Sequence, residues 1–368
     1  MTEVYDYNVN TDTWSYLATI PGQRRVHASA IHGTDLYIIG GSDASSVYQN
    51  TMFKFDILAN TWTTMSPLPV ALGWGKALTY QDYIIVAGGV DGAGALSNAV
   101  YLYNTLTDVW ITGSSMPTPI FGGAFARTGN TLVYVAGADL AVISNAIYVG
   151  EINPSSPAII TWGAARSTYP GLPSSVSMNN IDLRALEAGI KDSKSPITRT
   201  CPAGAMYRFD GGTWGHEAII VAGGSPSSAW VPADPCPSYT YYPATDTWVM
   251  NPNLTVAVTG AYMNTVQNTA TTWNAIVASG YTGTATVANT QKLTAEIEGP
   301  LPTPVVTISQ VGGTIYLNWP AVPGALGGYR FEKADSPYGP WTDTQVVGTN
   351  SWSGPAVAKK FYQVIALP

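Results

Sequence analysis

Two short patterns recur along most of this chain, and their spacing constrains the fold more than any other feature. The first is an apolar run closed by small residues: LYIIGG (36–41), YIIVAGG (83–89), LVYVAGA (132–138), AIIVAGG (218–224) and NAIVASG (274–280). The second is an aromatic strand, a polar turn and a tryptophan. It reads EVYDYNVNTDTW (3–14), FKFDILANTW (53–62), VYLYNTLTDVW (100–110) and YTYYPATDTW (239–248), with a looser AIYVGEINPSSPAIITW (146–162). Gly40 to Trp62 and Gly88 to Trp110 both span 22 residues, Gly137 to Trp162 and Gly223 to Trp248 both span 25, and Trp14, Trp62 and Trp110 are 48 apart.

A unit of that length built from short strands predicts an all-β fold, a β-propeller with one small sheet per repeat. A helical solenoid would show 3.6-residue periodicity instead. The apolar run reads as a strand buried on both faces between neighbouring sheets, so it need not alternate. The glycine pair lets the chain turn where no side chain fits. In the D-x-x-T-x-x-W stretch, Asp and Asn bond their own backbone in a turn, and the tryptophan is expected to pack on the next sheet.

The double glycine, the aromatic about a dozen residues later and the tryptophan beyond it resemble the kelch family, over about residues 1–298. That resemblance implies a propeller but leaves activity open, since kelch propellers include enzymes and pure binding modules. Five repeats are counted and six are possible. The first tryptophan element lacks a preceding apolar run and the fifth apolar run lacks a following tryptophan, so residues 1–22 are expected to complete the last sheet and seal the ring. Trp162 to Trp248 spans 86 residues, which places an insertion at 163–200 with a short helix inside 178–192. After residue 298, VVTISQVGGTIYLNWPAV, GYRFEKADSPYGPW and KKFYQVIA read as strands. Residues 299–368 resemble a fibronectin type III module with Trp319, Tyr329 and Tyr362 in its core; Trp341 and Trp352 are expected to pack within it.

The chain has 368 residues, of which 46% are apolar and only 11% charged, with net charge −7 and no run of lysine or arginine. Nucleic acid and anionic membrane surfaces both select for a basic footprint, so neither is an expected partner. No apolar run is long enough to span a bilayer, so membrane insertion is not expected. The start, MTEVYDYNVN, has neither a basic nor an apolar leader region and reads as the middle of a structural unit, with no signal peptide. Few charges and many Thr, Ser, Asn and Gly match secreted β proteins, which sets the expected location as extracellular or cell surface; resembling chains are common on bacterial surfaces, so the resemblance implies a bacterial setting. In that setting Cys201 and Cys236 are expected to pair as a disulfide.

Kelch proteins that bind peptides or sugars use residues just before the first strand of each sheet, which point into the axial mouth. Here the resemblance assigns ligand binding to Arg24, Arg25, His27, Trp74, Lys76, Phe121, Tyr207, Arg208 and Tyr262. Arg24 stands at the family's arginine position; Leu72 and Phe121 replace it in later repeats. The mixture of rings and a few cations suits a glycan or an extracellular protein. The competing reading makes Trp74 and Phe121 plugs of the axis and pairs Arg24 with a carboxylate. Three histidines (His27, His32, His216) are too few and too scattered for the copper-radical chemistry known in this superfamily. Glu3, Asp6 and Asp56 read as strand and turn residues, not as acid–base groups, and DGAGALS (91–97) and DGG (210–212) as turn glycines. No catalytic residue, metal or cofactor is assigned; calcium at loop aspartates Asp12, Asp43 or Asp91 is the one candidate ion, without a D-x-D-x-D-G ladder behind it. The favoured function is a secreted binding or adhesion protein. The alternative is a carbohydrate-active enzyme, oxidase- or epimerase-like, using the same mouth.

Overall fold

The structure, a computed structural model, describes residues 3–139, 142–166, 168–170, 176–177, 210–214, 218–223, 236–258, 262–267, 272–282, 284–296, 306–320, 328–334, 342–347, 351–355 and 361–367. All regular structure among them is β. The chain divides into two units, the first Met1–Asn153 with Pro157–Glu296 and the second Ile297–Pro368 with Pro154–Ser156.

The first unit opens with the hairpin β1 (Glu3–Asn8) and β2 (Thr13–Thr19). A four-stranded meander follows: β3 (Ala28–His32), β4 (Asp35–Ile39), β5 (Met52–Asp56) and β6 (Thr61–Met65). The next repeat brings β7 (Leu72–Gly73), β8 (Lys76–Tyr80), β9 (Tyr83–Ala87), β10 (Val90–Asp91), β11 (Val100–Asn104) and β12 (Val109–Thr112). There β8, β9, β11 and β12 form the meander and β7 pairs with β10. A third sheet holds β13 (Ala124–Thr128), β14 (Thr131–Ala138), β15 (Val142–Ile152) and β16 (Ile160–Trp162), with β17 (Val176–Ser177) beside β15. A fourth holds β18 (Asp210–Trp214), β19 (Ala218–Ala222), β20 (Cys236–Tyr242) and β21 (Thr247–Leu254). The last has three strands, β22 (Tyr262–Gln267), β23 (Thr272–Tyr281) and β24 (Thr286–Glu296). First strands of successive meanders adjoin, β3 to β8 to β13 to β18 to β22.

The second strands are the apolar runs, and Ile84–Ala87 and Ala218–Val221 are buried throughout. The third and fourth strands meet in a repeated register. Tyr7 faces Trp14, Phe55 faces Trp62, Tyr103 faces Trp110 and Tyr241 faces Trp248. Their ring centroids lie 4.9, 4.7, 5.1 and 4.6 Å apart. Such pairs add roughly 0.5–1.5 kcal/mol beyond their area burial. The looser repeat substitutes Gly150, which faces Trp162 and lets the indole lie flat over the backbone.

The turn between these strands is also repeated. Asn8, Asp56 and Asn104 accept backbone N–H groups two and three residues on, while Asp12, Asn60, Asp108 and Asp246 take positive φ. The hydroxyls of Tyr7, Tyr103 and Tyr241 donate to Asp12, Asp108 and Asp246. The indoles pack backward, not forward as expected: Trp110 donates to the Ser66 carbonyl and Trp162 to the Ser114 carbonyl of the preceding sheet. The reason is that each fourth strand runs on into a segment whose carbonyls face the following indole.

The glycine pairs join sheet to sheet. Gly41 N–H donates to Leu72 O and Gly89 N–H to Ile120 O, in the segment leading into the next meander. A Cβ on Gly88 would sit 2.6 Å from Ile120 O, and one on Gly89 would sit 2.6 Å from Gly73 O. Both glycines also have positive φ, +67° and +102°.

Three expectations change. The hairpin β1–β2 is a sheet of its own, so Trp14 lies in a different sheet from Ala275–Gly280, and the third strand of the last meander is supplied by Thr286–Glu296. Asp210–Gly212 are not a turn but open β18, paired with β19. Cys236 stands buried at the start of β20, not in a loop, with Sγ donating to Val258 O at 3.8 Å. Cys201, the expected helix and most of the 163–200 insertion lie outside the described residues.

The second unit has two three-stranded sheets. One is β25 (Thr307–Val311), β26 (Thr314–Asn318) and, further along, β29 (Ser351–Pro355); the other is β27 (Gly328–Ala334) with β28 (Thr342–Val347) and β30 (Phe361–Leu367). Trp319 and Tyr329 are buried with ring centroids 5.4 Å apart, and Trp352 stacks on Phe331 at 4.2 Å, as packing residues would. Trp341 lies outside the described residues.

Two outcomes test this account. Gly89→Ala is expected to cost more than about 3 kcal/mol in urea unfolding, strain and backbone clash together, whereas Gly33→Ala, also at positive φ but with open space around it, is expected to cost only the strain, about 1–2 kcal/mol. Asp108 has the second. Burial would raise its carboxyl, but the Ser66 N–H and the Tyr103 hydroxyl outweigh that and hold it below the usual range. A lowered folded-state value contributes stability above the unfolded pKa of about 3.9 and loses it as pH falls through the folded one. Asp108→Asn is therefore expected to flatten the acid limb of a stability-against-pH curve.

Candidate functional site

The segments leading into the first three meanders share one backbone trick. Val26, Trp74 and Gly122 occupy the same repeat position and all have positive φ, +46°, +63° and +72°. Glycine adopts this at no cost, but a β-branched valine and a tryptophan are strained there by roughly 1–3 kcal/mol each. What holds them is the neighbouring lead-in. Trp74 N–H donates to Val26 O at 2.8 Å, Arg25 exchanges both backbone hydrogen bonds with Ser42, and Phe121 does the same with Ala138.

These lead-ins carry Arg24, Arg25, His27, Trp74 and Phe121, and Lys76 opens β8 just after the second of them; the side chains fall into two different roles. Trp74 and Phe121 are core: 4% and 0% exposed, edge to face with centroids 5.8 Å apart. The Trp74 indole N–H donates to the Tyr48 hydroxyl at 3.0 Å, and the Tyr48 ring lies over Gly73. Both rings join one buried cluster with Val135, Ile147 and Val221 from the third and fourth sheets. Tyr48 went unnoticed in the sequence because it sits in a loop, outside either repeated pattern.

Arg24 is buried as well, at 6% exposure. Its guanidinium donates to Gln23 O and to the Thr51 hydroxyl and lies 5.1 Å from the centre of the Phe53 ring. Burial lowers its pKa, and Asp43 nearby opposes that. Asp43 is itself committed: it accepts the Ser45 and Val47 N–H groups and the Gln49 amide. Asp91 repeats the loop, accepting from Ala93 and Ala95. These aspartates shape loops, and among the described residues none gathers with other acidic, His or Cys side chains into a metal-sized cluster. His32 lies 3.7 Å from Asp82 at a turn between first and second strands.

Arg25, His27 and Lys76 are half-buried. Tyr262 opens β22, while Tyr207, Arg208 and His216 lie outside the described residues.

Compared with known families, residues 24–69 and 76–117 match the Kelch motif. The first stretch is one complete meander with its lead-in, β3–β6, and the second begins at Lys76 and covers β8–β12. No match was found among curated proteins. Kelch motifs commonly mediate protein binding, and their presence on these all-β meanders fits a β-propeller.

The packing of the two rings sets an expected outcome. Trp74→Ala and Phe121→Ala are each expected to destabilise by about 3–5 kcal/mol in chemical denaturation, the usual cost of deleting a buried ring. A loss below about 1 kcal/mol would mark them as spare surface for a ligand instead.

Proposed function

We propose that this Kelch-motif chain closes as a β-propeller and works as a binding module, with the lip formed by Arg25, His27 and Lys76 as its contact surface. The observation that carries the reading is the strained backbone at Val26 and Trp74, in the segments that hold Arg25 and His27 and lead to Lys76, with the Trp74 and Phe121 rings buried. A rigid floor with polar side chains at its rim suits recognition by a few oriented contacts. Strain concentrated at one edge of a fold is the pattern of a site, since the rest of the structure must hold it in place.

Closure is supported from both sides of the hairpin β1–β2. Val4 and Ile20 pack with Ile38, Phe53 and Trp62 of the first meander. The Trp14 indole donates to the Thr290 hydroxyl at 3.1 Å, and Lys292 Nζ donates to Val9 O, both residues lying on β24. The hairpin thus touches the first and last meanders by side chains, without a shared ladder.

The partner is an extracellular protein or a glycan and the setting a bacterial cell surface, with the second unit a fibronectin type III-like spacer. Supporting this are the low charge, the absence of basic runs and the aromatic core built on Trp319. A binding role is favoured over catalysis because the loop carboxylates Asp43 and Asp91 are tied into their own turns.

The test is a screen of the purified chain against glycan and extracellular-protein arrays, repeated with Arg25→Ala, His27→Ala and Lys76→Ala combined. Hits are expected to weaken at least tenfold in the triple variant while its Tm stays within a few degrees. Hits that bind the variant equally well would sink the proposal.

A further inference from the structure

A cavity of about 320 Å³ lies between the fourth and last meanders, and its walls match those that hold a tryptophan elsewhere. Trp110 clusters with Tyr37, Ile39, Met52 and Leu68 of the sheet before it. Trp162 clusters with Ile85, Ala87, Val100 and Met116, which stand at the same repeat positions. In the fourth meander those positions are Ile220, Ala222, Ser238 and Leu254, and all four line the cavity.

The opposite wall agrees. Ile84, Val86 and Tyr103 lie beside Trp110 in its own meander; their counterparts by register are Ala275, Val277 and Leu293, which also line the cavity. Even the acceptor is in place. Ser66 O and Ser114 O receive the two indoles, and the corresponding carbonyl, that of Pro252, receives the Ser238 hydroxyl among the described residues, one of the two bonds a carbonyl oxygen can accept. Gln291 fixes the rim by donating to Val256 O and accepting from Val256 N–H and the Thr255 hydroxyl.

Every other meander carries a fourth strand on its third. Among the described residues β24 carries no fourth strand. The sequence directly after it, IEGPLPTP, has three prolines and no tryptophan. Proline cannot donate to a ladder, so that stretch is poorly made to be the missing strand.

We propose that β24 and this cavity form a second recognition site, which takes an extended peptide of a partner protein as a fourth strand and seats its tryptophan between the two meanders. Ladder hydrogen bonds along β24 supply affinity, and the indole seat supplies selectivity for one aromatic residue in the right register. The site is separate from the lip, so either can fail without the other.

The probe is a fluorescein-labelled peptide of this chain's own fourth-strand sequence, TDVWITGSSM, titrated onto the full chain by anisotropy beside the same peptide with Trp→Ala. The tryptophan peptide is expected to bind and to slow amide exchange over residues 286–296, and the alanine peptide to bind at least tenfold more weakly. Ala275→Trp, which fills the seat from inside, is expected to weaken binding equally; Leu293→Trp is the alternative filling should Ala275→Trp not fold, as judged by circular dichroism. No binding, equal binding of the two peptides, or full binding to a folded, filled variant would each overturn the proposal. So would a dimer in sedimentation that Ala275→Trp dissolves, since a second copy would then be the occupant.

Discussion

The close approach of each glycine pair to two lead-in carbonyls is the contact on which the rest of the first unit depends. Gly89 sits against Gly73 O of its own repeat, while Gly88 meets Ile120 O and Gly89 N–H donates to it. One dipeptide therefore fixes both where a sheet ends and where the next begins. Without that contact the apolar second strands would have no defined neighbour, and burial alone sets no angle between sheets. The third repeat makes the point by substitution. Ala136 replaces the first glycine yet keeps positive φ (+55°), and Gly137 retains the approach to Phe121 O, 2.8 Å from its would-be Cβ. The backbone path is maintained even where the residue that makes it cheap is gone.

From that anchor the other repeated residues acquire their roles. With the meanders held at a fixed spacing, each third-strand aromatic meets its own fourth-strand tryptophan, and the indole reaches back to the preceding sheet. Equivalent residues also link up: Thr79 donates to Ile31 O and Arg127 to Thr79 O, each across 48 residues of sequence. Arg127 lies 5.5 Å from the centre of the Tyr80 ring, and the Tyr80 hydroxyl donates to Asn130. These contacts are modest one by one, about 1 kcal/mol each. Their value lies in repetition, since each can form only if the spacing set by the glycines is right.

Much of this was legible in the sequence, because a local pattern repeated at fixed spacing reports local structure. The double-faced burial of YIIVA, the Asx turns at Asn8, Asp56 and Asn104, and the glycine turns all followed from residue chemistry over a few positions. What could not be read was anything decided by a neighbour distant in sequence. The direction in which the tryptophans pack depends on carbonyls some 44–48 residues away. Cys236 looked like a loop cysteine until β20 was seen to begin there. Position alone could not tell Trp74, buried and held by Tyr48, from Lys76, which stays half-buried. The strained φ at Val26 was hidden because nothing in a valine announces it; only its alignment with Trp74 and Gly122, the last of which is free to adopt that angle, would have hinted at it.

Repetition also explains where openings arise. Where a repeat keeps its full complement, side chains fill the space between sheets and nothing can enter, as around Trp110. Where a repeat departs, the outcome depends on whether a neighbour moves in. At Gly150 the aromatic is lost but the Trp162 indole settles over the bare backbone, so the gap closes. At Leu293 an aromatic is replaced by a smaller side chain and no described fourth strand follows, so volume stays open between two otherwise ordinary meanders. In a fold whose sheets are this alike, binding surfaces are best sought at such departures, because the repeated positions are already committed to holding the sheets together.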